Sequence, residues 1–160
     1  MFSFLRKKNV TLCPEVRGKI LLNGSPLSNV EIIRSLNYIG EHEYTDSVIS
    51  DSDGGFSFDS YCIKSRAPNK LFNESRIFQY IYADYDGKFY VLWKSKQPGY
   101  YVISAYAKKL ENMLCELSNP KVSFKFYDRT SSERSSLYEY SARSICRWED
   151  NFEISKVFNE

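Results

Sequence analysis

A 41-residue stretch, opening GKILLNGSPLSNVEI at Gly18 and closing SDSDGGFSF at Phe58, constrains the fold of this chain more than any other segment. Val16 to Leu22 is rich in β-forming side chains. Asn23-Gly24 follows, and both residues tolerate the positive φ that a two-residue hairpin turn demands. Pro26 then fixes the chain just past the turn. Val30, Ile32 and Leu36 recur at even spacing, with Glu31 and Arg34 between them, the signature of a half-buried strand. Tyr44 to Ser50 predicts a third strand. The polar turn from Asp51 to Gly55 feeds Phe56 and Phe58, which share one face because side chains alternate along a strand. Three strands pinned by two turns predict an all-β fold, and the segment carries no catalytic set.

The rest of the chain extends the pattern. RIFQYIYA (Arg76 to Ala83) and KFYVLWK (Lys88 to Lys94) flank DYDG, which predicts an aromatic hairpin. Lys121 to Tyr127 alternates Val122, Phe124 and Phe126 and predicts a strand. Tyr100 to Lys109 reads as a strand. Leu110, Met113, Leu114 and Leu117 sit at i, i+3, i+4 and i+7, which fits one short helix, with a strand as the alternative. Ser60 to Ser75 reads as a loop or short helix. Arg129 to Ser136 reads as a mobile, Ser-rich loop, and Ser144 to Trp148 as a further strand. Short strands separated by turns favour a sandwich or barrel over an α/β fold. The 160 residues suit a single domain, residues 1–160, with residues 1–12 as an N-terminal extension.

The opening strands, residues 16–59, resemble the carboxypeptidase regulatory-like domain, a transthyretin-like (prealbumin-like, Ig-like) β-sandwich. The resemblance rests on Gly18, Ile20, Gly24, Pro26, Leu27, Val30 and Ile32, then Thr45-Asp46, and Asp51, Asp53, Gly54, Phe56 and Phe58. Val30 stands where the family has a small residue, and one residue is inserted between Asp53 and Phe56. The aromatic hairpin and the segments Cys115 to Leu117 and Cys146 to Trp148 are similar to a bacterial family built on this sandwich. That resemblance implies a cytoplasmic protein, sometimes encoded near contact-dependent or type VI secretion genes, and a non-catalytic recognition role.

Charge and chemistry narrow the function classes. The net charge of +2 is too small to imply a nucleic-acid partner. From Leu36 to Ser60 there are six acids, Glu41, Glu43, Asp46, Asp51, Asp53 and Asp59, and no Lys or Arg. Such an asymmetry can steer a basic partner. The single histidine, His42, lies between two acids and reads as a solvated surface residue rather than a triad member. Asp51, Asp53 and Gly54 start like a calcium loop, but the twelfth position is Cys62, not Glu, so a turn is expected and no metal site. No CxxC is present among Cys13, Cys62, Cys115 and Cys146. MFSFLRKKNV does not read as a signal peptide, because its short apolar part precedes the basic cluster. Reduced, mostly buried cysteines in the cytoplasm are therefore expected. No apolar run is long enough to span a bilayer. Aromatics interleave with bases around the hairpin, yet Asp84, Asp86 and Glu111 dilute that charge, so no nucleic acid is expected.

These readings converge on a non-enzymatic protein-binding module with no cofactor. The specific expectation is an immunity-type protein that neutralises a toxic effector of a contact-dependent or type VI secretion system. An adaptor of the secretion apparatus, and an enzyme with a Tyr/carboxylate cleft, are the alternatives. An electrostatic interface with a basic toxin or secretion component would use Glu41, Glu43, Asp46, Asp51 and Asp53. An aromatic one would use Tyr82, Tyr85, Tyr90 and Trp93.

Overall fold

The computed structural model describes residues 6–69, 75–128 and 138–159. The strands in chain order are β1 (Lys8–Cys13), β2 (Val16–Leu22), β3 (Ser25–Pro26), β4 (Glu31–Tyr38), β5 (His42–Ile49), β6 (Gly55–Phe58), β7 (Tyr61–Ser65), β8 (Arg76–Tyr85), β9 (Lys88–Pro98), β10 (Met113–Glu116), β11 (Lys121–Asp128), β12 (Tyr138–Ser144) and β13 (Glu153–Phe158). A helix, α1 (Ser104–Leu110), precedes β10, and a 3₁₀ turn spans Ala67–Asn69. The fold is an all-β sandwich. Its long layer is a seven-stranded sheet in the order β13-β11-β12-β9-β8-β4-β5. The opposing strands are the β1-β7 pair and a sheet in which β2 joins β10, β3 and β6.

The predicted turns form as their chemistry requires. Asn23 and Gly24 have φ of 50° and 80°, and Asp86 and Gly87 have 52° and 73°, so each pair closes a two-residue hairpin. Gly18 is required for a different reason. It lies on β2 between Phe56 of β6 and Met113 of β10, and a Cβ there would come within 2.6 Å of the Phe56 ring. The absent side chain lets that ring lie across the strand.

The core lies between the layers. Ile32, Leu36, Ile77, Ile81, Trp93, Phe124 and Phe126 from the long sheet meet Val10, Leu12, Val16, Ile20 and Phe56 from the other strands. Each fully buried large apolar side chain contributes roughly 1.5–3 kcal/mol. A polar knot ties the layers together. The Trp93 indole Nε1–H donates to Gln79 Oε1 and Ser95 Oγ, both at 3.0 Å, and Gln79 Nε2 donates to the Leu12 carbonyl of β1 at 2.9 Å.

Several expectations are corrected. Residues 8–12, read as part of an extension, belong to β1, which pairs with β7, a segment read as loop or short helix. The helix lies earlier than its periodicity suggested, beginning within Tyr100 to Lys109, which read as a strand, and the strand alternative holds for the later segment. Ser104–Leu110 is helical, burying Ala105, Tyr106, Lys109 and Leu110, whereas Met113–Glu116 is a strand parallel to β2. Leu114, an intended core position of that helix, is exposed. The strand read at Ser144 to Trp148 ends at Ser144, leaving one bridge between Arg147 and Leu114, and β13 follows instead. The Ser-rich loop from Arg129 to Ser136 lies outside the described residues. The cysteines are not all reduced: Cys115 and Cys146 form a disulfide, with Cα atoms 4.1 Å apart, where β10 meets the chain leaving β12. Cys13 is a buried free thiol, pushed up to about 11 chiefly by burial, and Cys62 is exposed. No helix among the described residues is long and apolar enough to cross a membrane.

Candidate functional site: the outer face of the long sheet

Of the acids expected to form an electrostatic interface, Asp46 is ion-paired within the fold, whereas Glu41, Glu43, Asp51 and Asp53 are exposed. Asp46 faces inward on β5 and clamps Arg34 of β4, accepting from its Nε at 2.9 Å and Nη2 at 2.6 Å. Arg34 also donates to the Asp59 carbonyl at 2.7 Å and lies over the Phe58 ring. Burial opposes the Arg34 charge, but Asp46 outweighs it and holds the guanidinium above its usual range. Asp51 Oδ1 accepts the N–H groups of Asp53 and Gly55 at 2.9 and 2.8 Å, which closes the turn before β6. Glu41 accepts from the Ser65 hydroxyl at 2.7 Å and Glu43 from Asn37 at 2.9 Å. Asp53 is exposed on the same turn. His42 is half-buried, its Nε2 2.9 Å from the Tyr61 hydroxyl, rather than solvated.

The aromatic candidates divide by side of the sheet. Trp93 has no exposed surface; it is the centre of the core knot and is removed from any interface. The register slips between Ile81 and Tyr82, so Leu92 and Trp93 are both buried instead of alternating. Tyr85 and Tyr90 pack partly against the core. Tyr82 belongs to an outward row with Phe78, Tyr80 and Phe89. Tyr80 and Tyr82 stack with ring centroids 4.7 Å apart, and Phe89 meets Tyr82 edge-on at 5.3 Å. Phe78 and Phe89 are 42% and 61% exposed. Burial first, then the Tyr82 phenol, push the Tyr80 hydroxyl up, so it is a neutral donor at neutral pH.

Beside this row lies a row of cations that includes Lys94 and Lys96, two of the bases that interleave with the hairpin aromatics in the sequence. Lys96 stands opposite Phe78 and Lys94 opposite Tyr80 across the β8–β9 ladder. Each ammonium lies 5.7 Å from the facing ring centroid. Lys94 is also directly opposite Arg143 of β12, the single register pair that joins β9 to β12. Over this junction lies a groove of about 480 Å³ lined by Phe78, Lys94, Lys96, Lys125, Arg143 and serines including Ser123 and Ser141. Its one carboxylate, Glu139, is bound to Lys125 at 2.9 Å. Among the described residues, Lys94, Lys96 and Arg143 have no carboxylate partner. Asp84, Asp86 and Glu111, which dilute the charge along the sequence, do not line the groove. What sequence reading lacked was the register that brings β12 beside β9.

A second hollow of about 400 Å³ beside α1 offers less chemistry. Burial lowers the Lys109 ammonium there, against the opposing pull of Asp150. Its Nζ donates to the Asp150 carbonyl at 2.8 Å and lies over Trp148, so it acts as a strut. No group of three or more His, Cys, Asp or Glu that could hold a metal occurs among the described residues.

No curated protein and no solved structure matches the chain. A family model described as "Domain of unknown function (DUF6795)" matches residues 16–120, well over half of the chain. The match runs from the start of β2 to the residue before β11, so it includes the aromatic row with Lys94 and Lys96 and stops short of Arg143. On that match, the chain belongs to the DUF6795 family.

Proposed function

We propose that this chain is a non-enzymatic binding module whose working surface is the outer face of the long sheet, and that its partner presents negative charge to that face. The observation that supports this reading most is the groove between β9 and β12. Lys94, Lys96, Lys125 and Arg143 line it, and among the described residues only Lys125 has a carboxylate partner. An anionic partner supplies the countercharge that the other three lack. The neighbouring aromatic row adds large contact area at low entropic cost on a rigid sheet, a preorganised arrangement.

The partner's expected charge is therefore inverted. Asp46 is held by Arg34, whereas Glu41, Glu43, Asp51 and Asp53 remain exposed and would be the surface for a basic partner. An immunity-type role, or an adaptor role in a secretion apparatus, fits this face when the effector or apparatus component is acidic. The transthyretin-like relationship and a cytoplasmic setting belong to the same proposal.

The test is co-purification of the native partner with two charge-reversed variants. Lys94→Glu with Arg143→Glu should abolish the complex and Glu43→Lys with Asp53→Lys should leave it intact. The opposite pattern overturns the reading.

A further inference from the structure

We infer that the aromatic and cationic rows of the outer face form a binding track for single-stranded nucleic acid. The inference rests on the anion-facing reading above and commits it to one class of partner.

The two rows run side by side. Phe78, Tyr80 and Tyr82 occupy alternate positions of β8, so their Cα atoms repeat at about 7 Å along the strand. Lys96 and Lys94 face the first two of them from β9. A polymer laid along β8 thus meets a ring and a cation together at Phe78 and Tyr80 and a ring alone at Tyr82, and Arg143 continues the positive charge sideways into the groove. Single-strand binders combine these parts: a positive groove follows the backbone, and aromatic faces take the bases. Unpaired bases supply π-faces that a duplex keeps internal. The groove serines offer hydroxyls to phosphate oxygens.

An acidic protein is the other candidate, and composition argues against it. Lysine is depleted at protein–protein interfaces, where arginine is favoured. Here three of the four groove cations, Lys94, Lys96 and Lys125, are lysines. Lysine as a point charge suits phosphates. The three acids that weigh against nucleic acid along the sequence do not line the groove.

The experiment is fluorescence anisotropy of the full chain with a labelled 20-nucleotide oligo-uridylate, the same length of RNA duplex, and poly-glutamate as competitor. The expected result is preference for the single strand, with affinity falling as salt rises. Neutralising one phosphate contact in a single strand changes the slope of log K against log salt by about 0.7. Lys94→Gln with Arg143→Gln should therefore flatten the slope by about 1.4. Phe78→Ala with Tyr82→Ala should weaken binding by about tenfold or more and leave the slope unchanged, since lost stacking is not ionic. All four side chains lie on the outer face, and matched unfolding midpoints will show that each variant folds. Equal binding of duplex and single strand, or an unchanged slope in the cation variant, overturns the inference. Poly-glutamate competing as well as the oligonucleotide also overturns it but leaves the wider anion-facing reading standing. Failure of both anions to bind at low salt removes both.

Discussion

Asp46 and Lys94 belong to the same sheet, three strands apart, yet one is built into the fold and the other is held out of it. Asp46 turns inward from β5 and closes on a buried Arg34, whose other N–H reaches the Asp59 carbonyl. Lys94 turns outward from β9 and faces Arg143 across the ladder. The inward acid is satisfied by a buried cation, whereas the basic row is diluted in sequence but concentrated in space. Linear charge density and surface charge are therefore different quantities, separated by strand register. The same contrast holds at Asp51, whose carboxylate is used by backbone N–H groups of its own turn.

The largest expected effect concerns the link between the two regions. Cys115 sits on β10, which pairs with β2 of the opening segment, and Cys146 follows β12, which carries Arg143. Replacing both by serine frees a loop with a sequence separation of 31 and should cost ~4 kcal/mol in the chain-entropy model. Urea unfolding measures it, and a loss below about 1 kcal/mol would show that the bridge constrains little. Hydrogen exchange should speed up at the Asn23 and Gly24 amides more than along β8 and β9. The next effect is at the inward acid. Asp46→Ala strands a buried cation and should destabilise by about 3 kcal/mol. Arg34→Met with Asp46→Ala should recover most of that loss. Failure to recover would mean that Arg34 acts mainly through the Asp59 carbonyl.

What the sequence made legible follows the same division. Local chemistry was readable: Asn23-Gly24, Asp86-Gly87 and the Asp51 turn form where their residues demand it. Alternating runs such as Val122, Phe124 and Phe126 are strands with one buried face. Pairings made across long separations were not. β10 lies parallel to β2, more than ninety residues earlier, and that pairing turns Met113 and Cys115 inward where a helical period had pointed to Leu114. The register slip at Ile81/Tyr82 buries Trp93 although a strict alternation from Leu92 would expose it. The candidate site depends on β9 meeting β12, so its aromatic row and the β9 lysines Lys94 and Lys96 were visible along the hairpin, whereas Arg143 and Lys125 were hidden. Glu116 illustrates the point on the structural side. It stood in the sequence as one residue of a short Cys-Glu-Leu segment, yet its carboxylate reaches back to the Asn23 and Gly24 amides at 3.1 and 2.6 Å.

Glu116 supplies a smaller test with a defined pH sign. Burial acts to raise its carboxyl, but the N–H groups of Ser118, Gly24 and Asn23 outweigh it and hold the carboxyl below its usual range. A folded value below the unfolded one means that the stabilisation is present above about pH 4.3 and is lost as pH falls through the depressed folded value. Glu116→Gln should cost ~1 kcal/mol at neutral pH, a figure reduced for solvent exposure. Its stability should fall less steeply than wild type below about pH 4.3, measured by urea midpoints. Parallel profiles would show that the opening turn is held by its own Asn-Gly geometry.

The smallest effect has the opposite sign and bears most directly on the contrast. Lys94→Gln removes one of two like charges held opposite each other and should stabilise by about 0.5 kcal/mol. Salt should raise the stability of the wild type more than that of the variant, because screening relieves the same repulsion. Against this stands the Lys94 ammonium over the Tyr80 ring, an attraction of ~0.5–1 kcal/mol at an exposed site. The Arg143→Gln variant removes the same repulsion and keeps the Lys94 ring contact, but it also gives up the Arg143 guanidinium over the Phe158 ring, 5.1 Å from its centroid. If Lys94→Gln destabilises while Arg143→Gln is neutral, the cation row is a prop for the aromatic row, and its charge is as structural as that of Asp46. If both stabilise and both weaken anion binding, stability and binding move in opposite directions at the same two side chains. A fold that keeps such a pair holds a cost in the free state that only a ligand removes.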